Sequence, residues 1–279
     1  MRVTTRFAPS PTGRLHLGHA YSAILNHDRA RAAGGRFLLR IEDIDEGRCR
    51  PEFEDAIRDD LTWLGLAWDE RVLRQSDRLD VYAAALEGLR ARGLLYRCFL
   101  TRAEVQAALS APHGPAPAFT GAPLPPAEEA ARLSAGDAFA WRLSMNAVRD
   151  AVPDFDDLLY REQIADGIAE RPAHARAHGD VVLGRKDNGT SYHLASVVDD
   201  IESEVTLTLR GEDLRDAAGL HVLLYRLLGA DPPVYAHHPL VTDEDGRRLA
   251  KRDRAVTIAA LRERGATPAD LRARLGLAA

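Results

Sequence analysis

Two histidines near the start of the chain stand at a spacing suited to binding an anion. His16 and His19 are three residues apart with Gly18 between them, where a strand-like run gives way to a helical pattern. Both rings would lie on one face of the first helical turn, whose free N–H groups and partial positive charge attract phosphates. Two imidazoles there could stabilise charge that develops on a leaving pyrophosphate. Taken alone, histidines at this spacing are more often solvated or structural.

The elements around this pair predict a parallel sheet. Residues 2–8 have the β-branched and aromatic content of a strand, and prolines and a glycine in 9–13 interrupt it. A helical pattern follows over 16–33, and residues 36–41 read as a second strand. A strand, a helix and a strand in about 40 residues indicate a βαβ unit, and ligands of such folds bind at the carboxyl ends of the strands.

The rest of the chain shows alternating helical and strand patterns. We predict helices over 51–66, 77–93, 127–133, 214–229 and 255–275, the last broken near Thr267-Pro268. Residues 111–126 read as a loop, and strands are predicted over 138–145, 179–184, 191–200 and 204–210.

Composition is typical of a globular protein: 46% of residues are apolar, 28% are charged and the net charge is -5. No run approaches the roughly 18 uncharged apolar residues of a membrane span, and no signal peptide is recognisable. We therefore expect a cytoplasmic protein with no membrane partner, and two reduced cysteines.

Residues 247–274 hold nine Arg or Lys against three acids. This basic end suits phosphate contacts, or a solvated helix.

A family resemblance extends these observations. The run Arg6–His19 (RFAPSPTGRLHLGH) closely resembles the HIGH motif of class I aminoacyl-tRNA synthetases, in the glutamyl and glutaminyl branch. Further runs resemble the same branch in the same order: residues 39–45 (LRIEDID), Gln75-Ser76, 189–193 (GTSYH) with 198–200 (VDD), 210–213 (RGED), and 237–240 (HHPL) ahead of the KMSKS-like 246–252 (GRRLAKR).

The resemblance implies an α/β fold, a Rossmann-like catalytic domain with an inserted α/β subdomain and a short helical C-terminal segment. Residues 1–96 would form the first half of the catalytic domain, 97–178 the insertion and 179–246 the second half. Residues 247–279 would carry the KMSKS-like loop and the helical segment.

It also implies the substrate sites. A dicarboxylic amino acid needs cations for its carboxylates and an anion for its ammonium group, and the planar fork of arginine suits a carboxylate. By resemblance, Arg6 takes the side-chain carboxylate of glutamate and Glu42 its ammonium group. The same pocket would include Ala8, Ser10, Tyr192 and Arg210. Two alternatives stay open: Arg6 and Glu42 could pair with each other, and Tyr192 could be a core aromatic.

ATP and magnesium are the expected cofactors. The resemblance assigns ATP to Pro9, His16, Gly18, His19 and Lys251, with the two histidines and Lys251 as catalytic groups. Ala250 replaces the usual serine beside Lys251, which predicts slower adenylation. Relatives often carry a zinc site near Cys98, but Leu100, Phe119 and Pro123 stand where its other ligands and tyrosine are expected. One thiol cannot supply four ligands, so we expect no zinc.

Only 26 residues follow Asp253, too few for an anticodon-binding domain. The resemblance is therefore closest to the glutamyl-queuosine tRNA(Asp) synthetases, which adenylate glutamate and esterify it to queuosine in the anticodon of tRNA(Asp). The expected partners are glutamate, ATP and queuosine-bearing tRNA(Asp). The protein itself is expected to be a monomer. Three alternatives are a nucleotidyltransferase for another acid, a truncated enzyme that charges tRNA(Glu), and a non-catalytic paralogue that binds tRNA or protein, favoured by Ala250.

Overall fold

The computed structural model describes residues 2–101, 103–105, 118–241 and 256–278. Its strands are β1 (Thr4–Phe7), β2 (Arg36–Ile41), β3 (Leu73–Arg74), β4 (Leu95–Cys98), β5 (Ala140–Leu143), β6 (Leu159–Ile164), β7 (Gly167–Pro172), β8 (Val182–Gly184), β9 (Leu207–Gly211) and β10 (Val234–His238). Its helices are α1 (Leu17–Ala32), α2 (Pro51–Trp63), α3 (Leu79–Ala91), α4 (Pro126–Ser134), α5 (Met145–Ala151), α6 (Tyr192–Glu202), α7 (Ala217–Leu227), α8 (Ile258–Glu263) and α9 (Pro268–Arg274).

The predicted βαβ unit is confirmed. Strands β1 and β2 pair in parallel, with Arg6 opposite Leu38, and α1 connects them. The chain enters β2 through Gly35, where a Cβ atom would lie 1.8 Å from the Val3 carbonyl oxygen. Only glycine fits there, since the Arg36 N–H must reach that oxygen, at 2.8 Å.

A second run of parallel strands adjoins the first. Strand β9 pairs with β10 and β10 with β6, all in parallel, whereas β7 folds back antiparallel on β6. The Thr4 N–H donates to Thr206 Oγ1 at 2.8 Å, and the Thr206 N–H donates to the Thr4 carbonyl at 3.0 Å. The carboxyl ends of β1, β2, β9 and β10 therefore open on the same side. A third sheet, of order β4-β5-β8, is antiparallel.

Two apolar cores support these sheets. The first packs α1 and α2 on β1 and β2 and continues into α8 and α9. The second joins α3, α5, α6 and α7. Because β6, from the predicted insertion 97–178, pairs with β10, that segment is hydrogen-bonded to the second half of the chain. The boundaries proposed from the sequence stay a prediction.

Most predicted elements are confirmed within a few residues. Pro51 and two acids begin α2, and Thr267 and Asp270 form a capping box at the predicted break before α9. The strand predicted over 191–200 is wrong: Ser191 caps α6, and residues 194–200 are buried in that helix. Ser196, Asp199 and Asp200 are buried along with the apolar residues, so no exposed polar face marks the helical period. None of the described helices combines the length and apolarity needed to cross a bilayer.

Candidate active site

A cavity of about 670 Å³ lies at the carboxyl ends of β1 and β9, beside the start of α1. The main-chain N–H of Glu42 bonds the Pro9 carbonyl at 3.0 Å, so the loops after β1 and β2 meet at its edge. It is lined by every described residue that the sequence predicted for glutamate or ATP: Arg6, Ala8, Pro9, Ser10, His16, Gly18, His19, Glu42, Tyr192 and Arg210. Lys251 and Ala250 lie outside the described residues.

The two histidines are fixed by the backbone of α1. His16 is the N-cap, and its Nδ1 accepts from the Gly18 N–H at 3.1 Å, while His19 Nδ1 accepts from the His16 N–H at 3.2 Å. The ring centroids lie 3.8 Å apart. Because both Nδ1 atoms accept, a neutral ring carries its proton on Nε2, where it can donate to a ligand. At residue 18 a Cβ atom would lie 3.1 Å from His16 Cε1, so glycine leaves room for that ring.

Arg6 is held by a buried carboxylate. Its Nε donates to Asp200 Oδ1 at 3.0 Å, and Arg6 is only 6% exposed. Asp200 also accepts from Arg40, which reaches Glu42 at 3.0 Å on its other side. The expected alternative, an Arg6–Glu42 pair, is therefore not what the structure contains. Asp200 is shared by the two guanidinium groups, whereas Glu42 contacts Arg40, whose Nε also lies 3.9 Å from Asp199 Oδ2.

Burial and charge act against each other in this network. Burial alone would raise the pKa of Asp200, but Arg6 and Arg40 hold it below the ordinary value. For Glu42 burial prevails, and its pKa is raised in spite of Arg40. Burial would lower the pKa of Arg6 and of Arg40, yet Asp200 raises both. Arg6 and Asp200 therefore stay ionised as an ion pair. Glu42, at the cavity wall, is a weaker acid than Asp200.

Arg210 has a different environment. It is 4% exposed, its guanidinium lies over the Tyr235 ring at 5.3 Å, and Nη1 lies 3.4 Å from His221 Nδ1. Its Nε and Nη2 atoms are buried without a hydrogen-bond partner in the described part of the chain. Buried donors without partners are costly unless a ligand supplies an acceptor. Arg210 therefore fits a site for an incoming anion.

Tyr192 stands at the first position of α6 and faces the cavity, so the alternative of a core aromatic does not describe it. Its ring lies 5.3 Å from that of His193 and 5.7 Å from that of His221. Burial raises the pKa of Tyr192, with Glu42 adding to the effect. The hydroxyl is therefore a neutral donor beside the arginines at neutral pH.

Sequence reasoning missed the residues behind the cavity wall. Arg40 and Asp200 lie in runs that carry the family resemblance, yet the sequence assigns no role to either of them or to His221. Arg40 had a signal, since it is a charge inside an apolar strand. Asp200 had none, because its partners lie 160 and 194 residues away. Gln75, quoted for the resemblance, donates to buried Asp199 at 2.8 Å.

The loop where relatives often bind zinc is held here by an aspartate. Asp180, 2% exposed, accepts from the Tyr96 hydroxyl at 2.9 Å, the Gly121 N–H at 2.8 Å and the Met145 N–H at 2.9 Å. Its own N–H donates to the Phe119 carbonyl at 2.6 Å. We name this set the Asp180 cluster. Cys98 is buried nearby in β4, and no metal-binding group of three His, Cys, Asp or Glu side chains occurs among the described residues.

Comparison with known proteins shows the family of this chain. A family model described as "tRNA synthetases class I (E and Q), catalytic domain" matches residues 2–278. Two similar proteins are named glutamyl-Q tRNA(Asp) synthetase. The one from Rhodobacter capsulatus is 50% identical, over 99% of this chain and 100% of its own. The one from Symbiobacterium thermophilum is 44% identical, over 94% and 82%.

A solved structure is similar as well. The crystal structure of a glutamate tRNA ligase from Elizabethkingia meningosepticum, in complex with its amino acid, has a TM-score of 0.74 and 32% identity. The match covers 91% of this chain and 52% of that one, so the chain spans about half the length of the ligase.

Proposed function

This chain belongs to the class I tRNA synthetases for glutamate and glutamine, in their catalytic domain, and we propose that it activates glutamate with ATP and transfers it to queuosine in the anticodon of tRNA(Asp). The observation that carries the proposal is the cavity, which gathers an anion-binding helix start, two buried arginines and a carboxylate. The names of the relatives support the choice of acceptor.

Glutamate binding follows from the charges of the cavity. We propose that Arg6 and Arg210 bind the side-chain carboxylate and that Glu42 binds the ammonium group, with the Tyr192 hydroxyl adding a neutral donor. Ala8 and Ser10 would line the α-carboxylate. Glutamine, which lacks the second negative charge, would lose the ion pairs with the arginines.

ATP would lie along the start of α1. In the first step the α-carboxylate oxygen attacks the α-phosphorus, the bond from that phosphorus to the bridging oxygen breaks, and pyrophosphate leaves. The Nε2–H groups of His16 and His19 would donate to the phosphate oxygens as charge develops, while Gly18 and Pro9 leave space for the nucleotide. Magnesium, held by the phosphates, would neutralise part of their charge.

Lys251 is proposed as a further cation on the phosphates. Val241, just before the stretch 242–255, lines the cavity, and Thr257, just after it, pairs with His16 in an isolated bridge. Both ends of that stretch therefore flank the ATP site, and Lys251 is six residues from Thr257 in sequence.

In the second step a queuosine hydroxyl attacks the activated carbonyl, the ester forms, and AMP leaves as the hydroxyl proton is lost.

We propose that the protein works as a monomer in the cytoplasm, where its tRNA substrate occurs. The second candidate, a non-catalytic paralogue that binds tRNA or protein, is favoured by Ala250, where the resemblance expects serine. The glutamate site and both histidines argue against it, because a binding protein has no need of that site.

The test has two arms. Glutamate should support exchange of labelled pyrophosphate into ATP, and labelled glutamate should then pass to tRNA(Asp) that carries queuosine but not to the unmodified tRNA. Arg6→Ala should abolish exchange while ATP still binds. Arg226→Ala, which removes an exposed surface arginine paired with Asp154, is the matched control and should keep full activity. If glutamate supports no exchange, the proposed activation of glutamate is wrong. If exchange occurs but no glutamate passes to the queuosine-bearing tRNA(Asp), the proposed acceptor is wrong.

A further inference from the structure

The buried charges behind the cavity are unevenly paired. Arg6 and Arg40 share Asp200, and Arg40 also contacts Glu42. Arg40 Nε lies 3.9 Å from Asp199 Oδ2 as well, so each of these two arginines faces at least one carboxylate. Arg210 forms no ion pair with any carboxylate of the described residues, and its closest polar contact is the imidazole of His221. Of the three buried arginines at this wall, Arg210 is the one without a carboxylate partner among the described residues.

The imidazole that contacts Arg210 has a defined proton arrangement. A guanidinium group only donates, so His221 Nδ1 accepts from Arg210 Nη1. The ring proton of His221 must then lie on Nε2, which donates to His193 Nδ1 at 3.1 Å. His221 is 2% exposed. Burial, together with Arg210, moves the pKa of His221 well below its usual value, and burial lowers that of His193 to about 4. Both rings are neutral near pH 7.

We propose that His221 is a positioning residue that fixes Arg210 through a neutral acceptor and leaves the arginine's charge for the side-chain carboxylate of the substrate. The inference rests on the proposed function and deepens it. Asp200 provides the contrast, because it fixes Arg6 with a full negative charge. A carboxylate in place of His221 would hold Arg210 equally well but would compete with the ligand.

Three substitutions separate position from charge. His221→Gln keeps a neutral acceptor and a donor toward His193, so the KM for glutamate should stay within about threefold of wild type. His221→Glu keeps an acceptor but adds a charge, so that KM should rise about tenfold or more, with the KM for ATP little changed. His221→Leu removes the acceptor without a charge and should fall between them.

Pyrophosphate exchange on the full chain measures these values with glutamate and with glutamine. The preference for glutamate over glutamine should shrink most in His221→Glu, because glutamine does not need the free charge. A purely structural role predicts that His221→Gln and His221→Glu lose activity alike, in kcat and in both KM values, and that result would overturn the inference. An unchanged glutamate KM in His221→Glu would overturn it too.

Melting temperatures of the variants keep the test decisive. If His221→Glu fails to fold, the comparison of His221→Gln with His221→Leu still decides, because the inference requires a higher glutamate KM only in the leucine variant. Equal KM values in those two would reject it. If wild-type protein supports no exchange with glutamate, the proposed function fails first and the inference fails with it. If wild-type protein supports exchange but the His221 variants keep its KM for glutamate, the inference is rejected and the proposed function stands.

Discussion

Two buried aspartates organise two regions of this molecule in opposite ways. Asp200 stands behind the cavity among charged partners, Arg6 and Arg40, and its pKa is lowered by them. Asp180 lies just after the proposed insertion, and its carboxylate accepts from neutral donors, one hydroxyl and two main-chain N–H groups, while the Arg142 guanidinium donates to its main-chain carbonyl. A carboxylate among cations keeps those cations ionised and oriented, whereas a carboxylate among neutral donors only holds the chain in place. The first arrangement suits a site for a charged ligand, and the second fixes the loop at Phe119 and Gly121.

A third buried aspartate completes the series. Asp60, on α2, is 4% exposed, and its Oδ2 has no hydrogen-bond partner among the described residues. Burial raises its pKa to about 6, although Arg14 opposes the shift. The three residues thus predict three different outcomes when their carboxylates are removed.

The largest effect is expected at Asp200. Asp200→Ala should lower the free energy of unfolding by about 3–5 kcal/mol, because Arg6 and Arg40 would keep buried charges with one carboxylate fewer between them. Glutamate-dependent exchange should be lost as well. Urea titration with the exchange assay checks both. Asp150→Ala, which removes an exposed carboxylate, is the control and should leave stability unchanged. A stable and active Asp200→Ala protein would show that the network is dispensable.

A smaller effect, confined to stability, is expected at Asp180. Asp180→Ala should cost about 2 kcal/mol, since Tyr96 and Met145 lose an acceptor in a buried place while the Gly121 N–H can be rehydrated. The KM for glutamate should change by less than about twofold, because the Asp180 cluster does not line the cavity. Denaturation and exchange kinetics on one preparation decide. If the KM for glutamate rose by a factor whose free-energy equivalent matches the loss of stability, the contrast between the two regions would disappear.

Removal of the Asp60 carboxylate should stabilise the protein, in a pH-dependent way. Its folded pKa, about 6, lies above the ordinary value of 3.8, so the folded state binds the proton more tightly and stability falls as pH rises between these values. Asp60→Asn should therefore gain about 1 kcal/mol above pH 6, less than the full shift because solvent and nearby arginines screen the charge. The gain should vanish near pH 4. Unfolding free energies of both proteins at the two pH values test this, and an equal gain at both would contradict the assignment.

The smallest effect is expected from metal removal. Because hydrogen bonds to Asp180 hold the loop at Phe119 and Gly121, EDTA should shift the melting temperature by less than about 1 °C. Elemental analysis of the purified protein should find no stoichiometric zinc. A shift of several degrees, or bound zinc that EDTA removes, would mean that a metal shares this task with the aspartate.

Sequence reasoning found the parts of the site that are written in local runs. The sequence predicts the turn after β1, the histidine pair at the start of α1 and the residues that the resemblance assigns to glutamate, and those that the structure describes line one cavity. The β-branched run at Val197 and Val198 predicts a strand over 191–200, and because residues 194–200 are all buried, polar ones included, no exposed polar face marks the helical period. The partners of Arg6 and Arg210 were missed for a different reason. Burial and proximity across many residues decide which side chains meet, and neither is encoded in a short window.

The bond between Arg6 and Asp200 has a consequence for biosynthesis. Arg6 and Asp200 are 194 residues apart in sequence, and a ribosome adds about 5–20 residues per second. Arg40 has Glu42 beside it from the start, but Arg6 must wait on the order of ten seconds or more for Asp200. During that interval the emerging amino-terminal βαβ segment cannot close its interior without burying the Arg6 cation with no carboxylate against it, so it should stay open until α6 has left the exit tunnel.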